Sequence, residues 1–188
     1  MSPILRRPAT VIVWLSVVLV AVGIGSVGTA GASGAPYCGI TWASLAKAGG
    51  TASDGALNAV RTGRHECFDR VVFDFAGPAD GYQVEYVPEV RTDGEGRLLA
   101  VSGGAILRVR LLANVFDQLG HLHYDRVAGD HVADVRGYQT LRDVVYAGCF
   151  EGQTTFGVGV RARLPFRVFS LAGPGANSRI VLDVAHRW

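Results

Sequence analysis

His121-Leu122-His123 places two imidazoles on one face of the chain wherever that segment is extended. Asp125, Asp130 and His131 follow closely, and histidine with carboxylate is a donor set that suits zinc. The spacing matches no strong metal signature and the surroundings read as a loop, so no metal ligand is assigned. His65-Glu66-Cys67 brings a thiol near an imidazole, the pairing that a cysteine nucleophile needs. A disulfide uses the same cysteine better in an oxidising compartment. The chain carries no G-x-S-x-G, no H-E-x-x-H and no P-loop. Phe150-Glu151-Gly152 offers one acid without the partner carboxylate that glycoside hydrolysis requires. No helix follows Gly157-Val158-Gly159-Val160 to receive a phosphate, so its glycines are read as places of close strand packing. No catalytic residue and no cofactor is assigned, and the chain is read as non-enzymatic. The rival is a small metal-dependent hydrolase built on residues 113–137.

Binding chemistry has better material. Tyr82 and Tyr86 fall on one face of a strand, and Arg161, Arg163 and Arg167 flank the Leu164-Pro165-Phe166 turn. Tyrosine rings lie well against sugar faces, and arginine holds carboxylates through two parallel hydrogen bonds. These five residues are the candidate ligand-binding set. The competing reading of each one is ordinary cross-strand packing.

The elements that position them are strands. After residue 63 the sequence alternates short β-rich runs with Gly, Pro, Asp and Asn clusters. Strands are expected at about 70–76, 82–88, 97–102, 105–112, 141–147, 154–161, 166–172 and 179–185, a spacing that predicts an all-β sandwich or barrel. Short helical turns are expected over 42–48 and 54–61, and a long excursion with one further strand over 113–137.

One strand is written nearly twice: RVVFDFA at 70–76 and RIVLDVA at 179–185. Val71, Phe73 and Phe75 make an apolar face that Ile180, Leu182 and Val184 repeat, while the other faces carry Arg70, Asp74, Arg179 and Asp183. Antiparallel pairing with Val72 opposite Val181 sets Arg70 against Asp183 and Asp74 against Arg179, whereas parallel pairing sets like charges together. The copies are therefore expected to be neighbours, or equivalent strands of two half-domains related by a pseudo-two-fold. Chance likeness between two core strands is the alternative.

The N-terminus differs in kind. Arg6 and Arg7 precede an uncharged apolar run from Val11 to Gly25, and small residues follow. This pattern is a secretory signal over residues 1–32, cut after Ala30-Gly31-Ala32; an uncleaved signal anchor is the alternative and the only membrane contact foreseen. Residues 33–63 are read as an N-terminal extension and 64–188 as the β-sandwich domain. The chain has 18 Lys and Arg against 16 Asp and Glu, and loss of Arg6 and Arg7 with the signal makes the mature chain neutral. A neutral surface excludes nucleic acid as the expected partner. Three cysteines outside the cytoplasm make one disulfide and one thiol. Of the three pairings, Cys38–Cys67 is favoured because it staples a segment poor in apolar surface to the start of a strong strand; Cys149 is then free.

Several segments together carry a resemblance: YCGITWASL, GRHECFDRVVFDFAG, GYQVEYV, FEGQTTFGVGVR, PFRVFSL and RIVLDVAHRW. The stretch from Tyr37 to Trp188 resembles the AMIN-like domain of secreted actinobacterial proteins, a relative of the AMIN domain that accompanies cell-wall amidases. The resemblance implies a β-sandwich of two similar small sheets. It further implies a secreted or wall-associated module that binds peptidoglycan, or alternatively an envelope protein, without catalysis of its own.

Overall fold

The computed structural model describes residues 35–188, so the expected signal segment lies outside the described residues. Nine strands follow a single 3₁₀ turn, Tyr37–Gly39: β1 Lys47–Gly49, β2 Ala56–Arg64, β3 Phe68–Ala76, β4 Tyr82–Val87, β5 Ala105–Leu111, β6 Leu141–Phe150, β7 Gln153–Val160, β8 Phe166–Ala172 and β9 Ser178–Ala185. They form a five-stranded sheet in the order β1-β4-β5-β7-β6 and a four-stranded sheet in the order β2-β3-β9-β8. Every pairing is antiparallel. Alternating apolar residues from both sheets meet in one core, with Phe73, Phe75, Leu107, Phe156, Phe166 and Leu182 among its buried side chains.

The repeated strands are neighbours. β3 and β9 pair with Val72 opposite Val181, Arg70 opposite Asp183 and Asp74 opposite Arg179. One of the two expected ion pairs forms: Arg70 donates to Asp183 from Nε at 2.6 Å and from Nη2 at 2.9 Å. The other does not. Arg61 of β2 takes both oxygens of Asp74, at 2.6 and 2.8 Å, and Arg179 Nε is buried without a partner. A carboxylate flanked by cations on two strands satisfies both oxygens with the one that reaches it in fork geometry. Arg167 of β8, opposite Asp183 on its other side, adds an Nε bond of 2.9 Å.

Seven of the eight expected strands are present and one is not. Residues 97–102 contribute only an isolated bridge, Leu98 to Arg91. A tight turn through Gly94 and Gly96, both at positive φ, folds the segment back on 90–92, and Leu99 is buried with Val90, Val145 and Ala147 instead of pairing in a sheet. The helical turn expected over 54–61 is replaced by β2, which pairs with β3 from Ala56 to Arg64 with one register shift between Leu57 and Ala59. β2 ends at Arg64, so residues 56–63 belong to the four-stranded sheet. The segment 42–48 runs irregularly into β1. Residues 113–137 form the long excursion and hold isolated bridges but no named strand. Part of it covers the free edge of β6, through Gly129 N to Tyr146 O, Tyr146 N to Asp130 O and Val132 N to Val144 O.

Two devices tie the sandwich together. Asp69, on the core face of β3, accepts from the backbone N–H of Thr140 at 2.6 Å and of Leu141 at 3.1 Å, and lies 3.1 Å from His186 Nε2. All three partners are buried at the start of β6 or the end of β9. The glycines of β7 let chain cross the outer side of the five-stranded sheet: a Cβ on Gly159 would sit 1.8 Å from the Ser102 carbonyl oxygen, and one on Gly157 2.9 Å from Val101 Cγ2.

Two outcomes follow. Asp183 has no exposed surface, and its conversion to Asn strands two guanidiniums; a loss of about 3 kcal/mol in denaturant unfolding is expected. Gly159→Ala meets backbone and is expected to cost at least about 2 kcal/mol, whereas Gly63→Ala, with only His65 Nε2 nearby at 3.7 Å, should stay within about 0.5 kcal/mol in the same measurement.

Candidate functional site

The outer face of the four-stranded sheet departs from the polar surface that one side of an antiparallel sheet usually turns to water. Strand alternation puts Phe68, Arg70, Val72 and Asp74 of β3 outward, with Arg179, Val181 and Asp183 of β9 and Arg167, Phe169 and Leu171 of β8 beside them. Val72, Val181 and Asp183 are nevertheless buried, and over Asp183 lie the longer side chains of Arg70 and Arg167.

Those longer side chains form a plate. Asp183 holds Arg70 and Arg167 from opposite sides. The Arg167 guanidinium lies 4.4 Å from the Trp42 ring, 5.1 Å from Phe169 and 5.6 Å from Phe68. Arg70 lies 5.3 Å from Phe68 and 5.7 Å from Phe169. At these distances cation–π attraction orders both the rings and the charges. Trp42 meets Phe68 edge-on at 5.6 Å, and His65 stacks on the Phe68 ring at 4.5 Å. Trp42 comes from outside the sheet and is held there by two constraints: the Cys38–Cys67 disulfide and a hydrogen bond from Phe166 N to Ala43 O. Arg61, Arg70, Arg167 and Arg179 face two carboxylates, Asp74 and Asp183, which leaves the face positive.

The five ligand candidates from the sequence are dispersed. Arg167 is in the plate. Tyr86 and Arg163 share a separate cleft of about 420 Å³ with Pro88, Gly103 and Gly104. There the Tyr86 hydroxyl donates to Leu164 O at 2.8 Å and accepts from Leu164 N at 2.9 Å, and Arg163 lies 4.8 Å over its ring. Burial of this tyrosine pushes its pKa up. Tyr82 turns inward, donates to Val168 O at 3.1 Å and packs on the core. Arg161 donates to the carbonyl of His186. Sequence reasoning missed Trp42, Phe68, Arg70 and Phe169 as one surface. The signal was the Phe-x-Arg of β3 and the Arg-x-Phe of β8, each setting a ring and a cation on the same side of a strand.

The other motifs resolve into structural roles. His121 Nδ1 and His123 Nε2 lie 3.0 and 3.2 Å from Asp117 Oδ2, not beside Asp125. Asp117 also accepts the backbone N–H groups of His121 and Leu119, and these bonds, led by that from His121, hold its carboxyl far below the usual carboxylate range. His131 pairs instead with Asp143 at 2.7 Å. Among the described residues no three His, Cys, Asp or Glu side chains are grouped to hold a metal ion. Cys67 is in the disulfide, so His65 has no thiol beside it. Cys149 is free and half-buried, its Sγ 3.5 Å from Asn114 Oδ1.

The AMIN-like domain family matches residues 55–186, from the residue before β2 to the one after β9. The chain belongs to this family. No curated protein and no solved structure matches it. AMIN-like domains are non-catalytic modules that occur in secreted and cell-wall-associated proteins, so membership points to an envelope or wall-related partner. The matched span includes the whole four-stranded sheet, while Trp42, β1 and Cys38 lie before it.

The disulfide closes 29 residues of chain. Cys38→Ser is expected to lower stability by about 3–4 kcal/mol. It should also shift Trp42 emission to the red as the ring leaves Phe68 and Arg167, measured on residues 33–188 with Trp188→Phe, where Trp42 is the one remaining tryptophan.

Proposed function

We propose that this AMIN-like domain is a non-enzymatic cell-wall module that binds peptidoglycan through the aromatic–arginine plate. The observation that carries the reading is Trp42, Phe68 and Phe169 interleaved with Arg70 and Arg167 on one outer face. Rings of this kind accept the apolar faces of sugars. Guanidinium N–H groups beyond those spent on Asp183 can donate to the carboxylates that wall peptides carry. The rings and charges hold each other in place, so a polymer meets a surface that loses little freedom on binding. The Tyr86–Arg163 cleft offers a second contact of the same composition along the chain.

The test is sedimentation of purified residues 33–188 with isolated sacculi. Saturable co-sedimentation that disappears when the sacculi are digested is expected. Arg167→Ala combined with Trp42→Ala should weaken it by at least about tenfold, near 1.4 kcal/mol, and Tyr82→Phe should leave it unchanged. Absence of binding at every salt concentration would overturn the peptidoglycan reading and turn the search to an envelope protein.

A further inference from the structure

The long excursion begins with a hairpin that neither the sandwich core nor the plate uses. Asp117 N bonds to His121 O at 3.0 Å, and His123 N bonds to Val115 O at 2.8 Å. Three residues, Gln118-Leu119-Gly120, close the turn, and Gly120 takes the positive φ of 83° that the last position of such a loop requires. Phe116 bridges Leu122 directly, so these two side chains leave the ribbon on one side. Asp117, His121 and His123 leave it on the other, where both imidazoles lie within 3.2 Å of Asp117 Oδ2. The hairpin is therefore two-faced, apolar on one side and polar on the other.

The apolar side is bare. Leu119 at the tip is 82 % exposed, Leu122 49 % and Phe116 46 %. Single exposed apolar residues are ordinary, but three large ones on one short hairpin, rimmed by polar groups, mark a contact surface. Two features select its partner. The three side chains line none of the larger clefts and stand out from a turn instead. A rigid partner would need a groove of matching shape, whereas a lipid surface yields around them. The tip also keeps its backbone donors to itself. Leu119 N and His121 N each donate to Asp117 Oδ1 at 2.9 Å, and Gly120 N donates to Asp117 O at 3.0 Å. Backbone that enters a lipid boundary must be bonded within its own segment, a demand that a protein partner does not make.

We infer that this hairpin docks on a lipid surface. Leu119, Phe116 and Leu122 enter the boundary between headgroups and acyl chains, and the face of Asp117, His121 and His123 turns to the headgroups, as in other amphipathic segments that lie in that boundary. The sequence foresaw no such contact outside the N-terminal apolar run. The hairpin starts beside Asn114, whose carbonyl accepts Leu57 N at the beginning of β2. The Cys38–Cys67 disulfide and Trp42 lie at the other end of that strand, beyond Arg64. The tip shares no residue with the plate, so lipid at one end leaves the aromatic–arginine face open.

The test is co-flotation with vesicles of equal parts phosphatidylglycerol and phosphatidylethanolamine. Residues 33–188 are used, since all nine strands lie within them and the apolar run Val11 to Gly25, which would itself enter lipid, does not. Saturable flotation is expected. Leu119→Asp should weaken it by at least about tenfold, with the thermal midpoint unchanged because that side chain touches little of the fold. Leu119→Trp should keep the binding, and the emission it adds should move to the blue when vesicles are present. Phe116→Ser should weaken flotation as well; if that variant does not fold, Leu119→Asp decides. No flotation at millimolar lipid, or flotation undiminished by Leu119→Asp, would overturn the inference. So would reversible self-association that Leu119→Asp abolishes while vesicles bind nothing, since the tip would then belong to a second copy of the chain.

Discussion

The buried carboxylate of Asp183 governs the four-stranded sheet. A charge with no exposed surface is tolerable only when its oxygens are satisfied, and here three guanidinium N–H bonds from two strands do this. The requirement fixes more than an ion pair. A one-residue slip of β3 or β8 against β9 would turn Arg70 or Arg167 to the core and leave Asp183 uncompensated. It therefore locks the register of three strands, and with it the side on which Phe68 and Phe169 emerge. The aromatic surface follows from the same constraint that secures the fold.

Much of this was legible in the sequence because the repeated strand carries its own register marks. Two Arg–Asp pairs spaced alike, on strands with fully apolar opposite faces, have a single antiparallel alignment that brings opposite charges together, and β3 and β9 adopt it. What the strand itself could not reveal was a third claimant. Arg61 lies on β2, in a stretch that lacks clear alternation and reads as a turn, and only pairing with β3 makes it a strand and sets Arg61 beside Asp74. Segment 97–102 fails in the opposite sense. Its apolar alternation is real, but Leu99 spends it on a small secondary cluster outside the main sandwich.

The candidate site was less legible, for a geometric reason. Tyr82 and Tyr86 do share a face of β4, but that face looks into the sandwich, where their hydroxyls cap backbone carbonyls of β8 and of the preceding turn. An amphipathic tyrosine satisfies a core position and a surface position equally well, so its type alone does not choose between them. Trp42 lies far from β8 along the chain and reaches Arg167 through the disulfide and the Ala43 carbonyl bound to Phe166 N. No periodicity in the sequence encodes such a contact.

The treatment of the sheet margins has a bearing on crowding. β6 is covered by residues of the long excursion, β8 by Ala43 and the Tyr82 hydroxyl, β1 is three residues long, and β2 is met at its start by Asn114 and carries Arg61 and Arg64 beyond. Open strand edges are where β-proteins template one another into aggregates. Here each margin is occupied, short or charged. Copies crowded side by side therefore meet without an open strand edge on which one could extend the sheet of another.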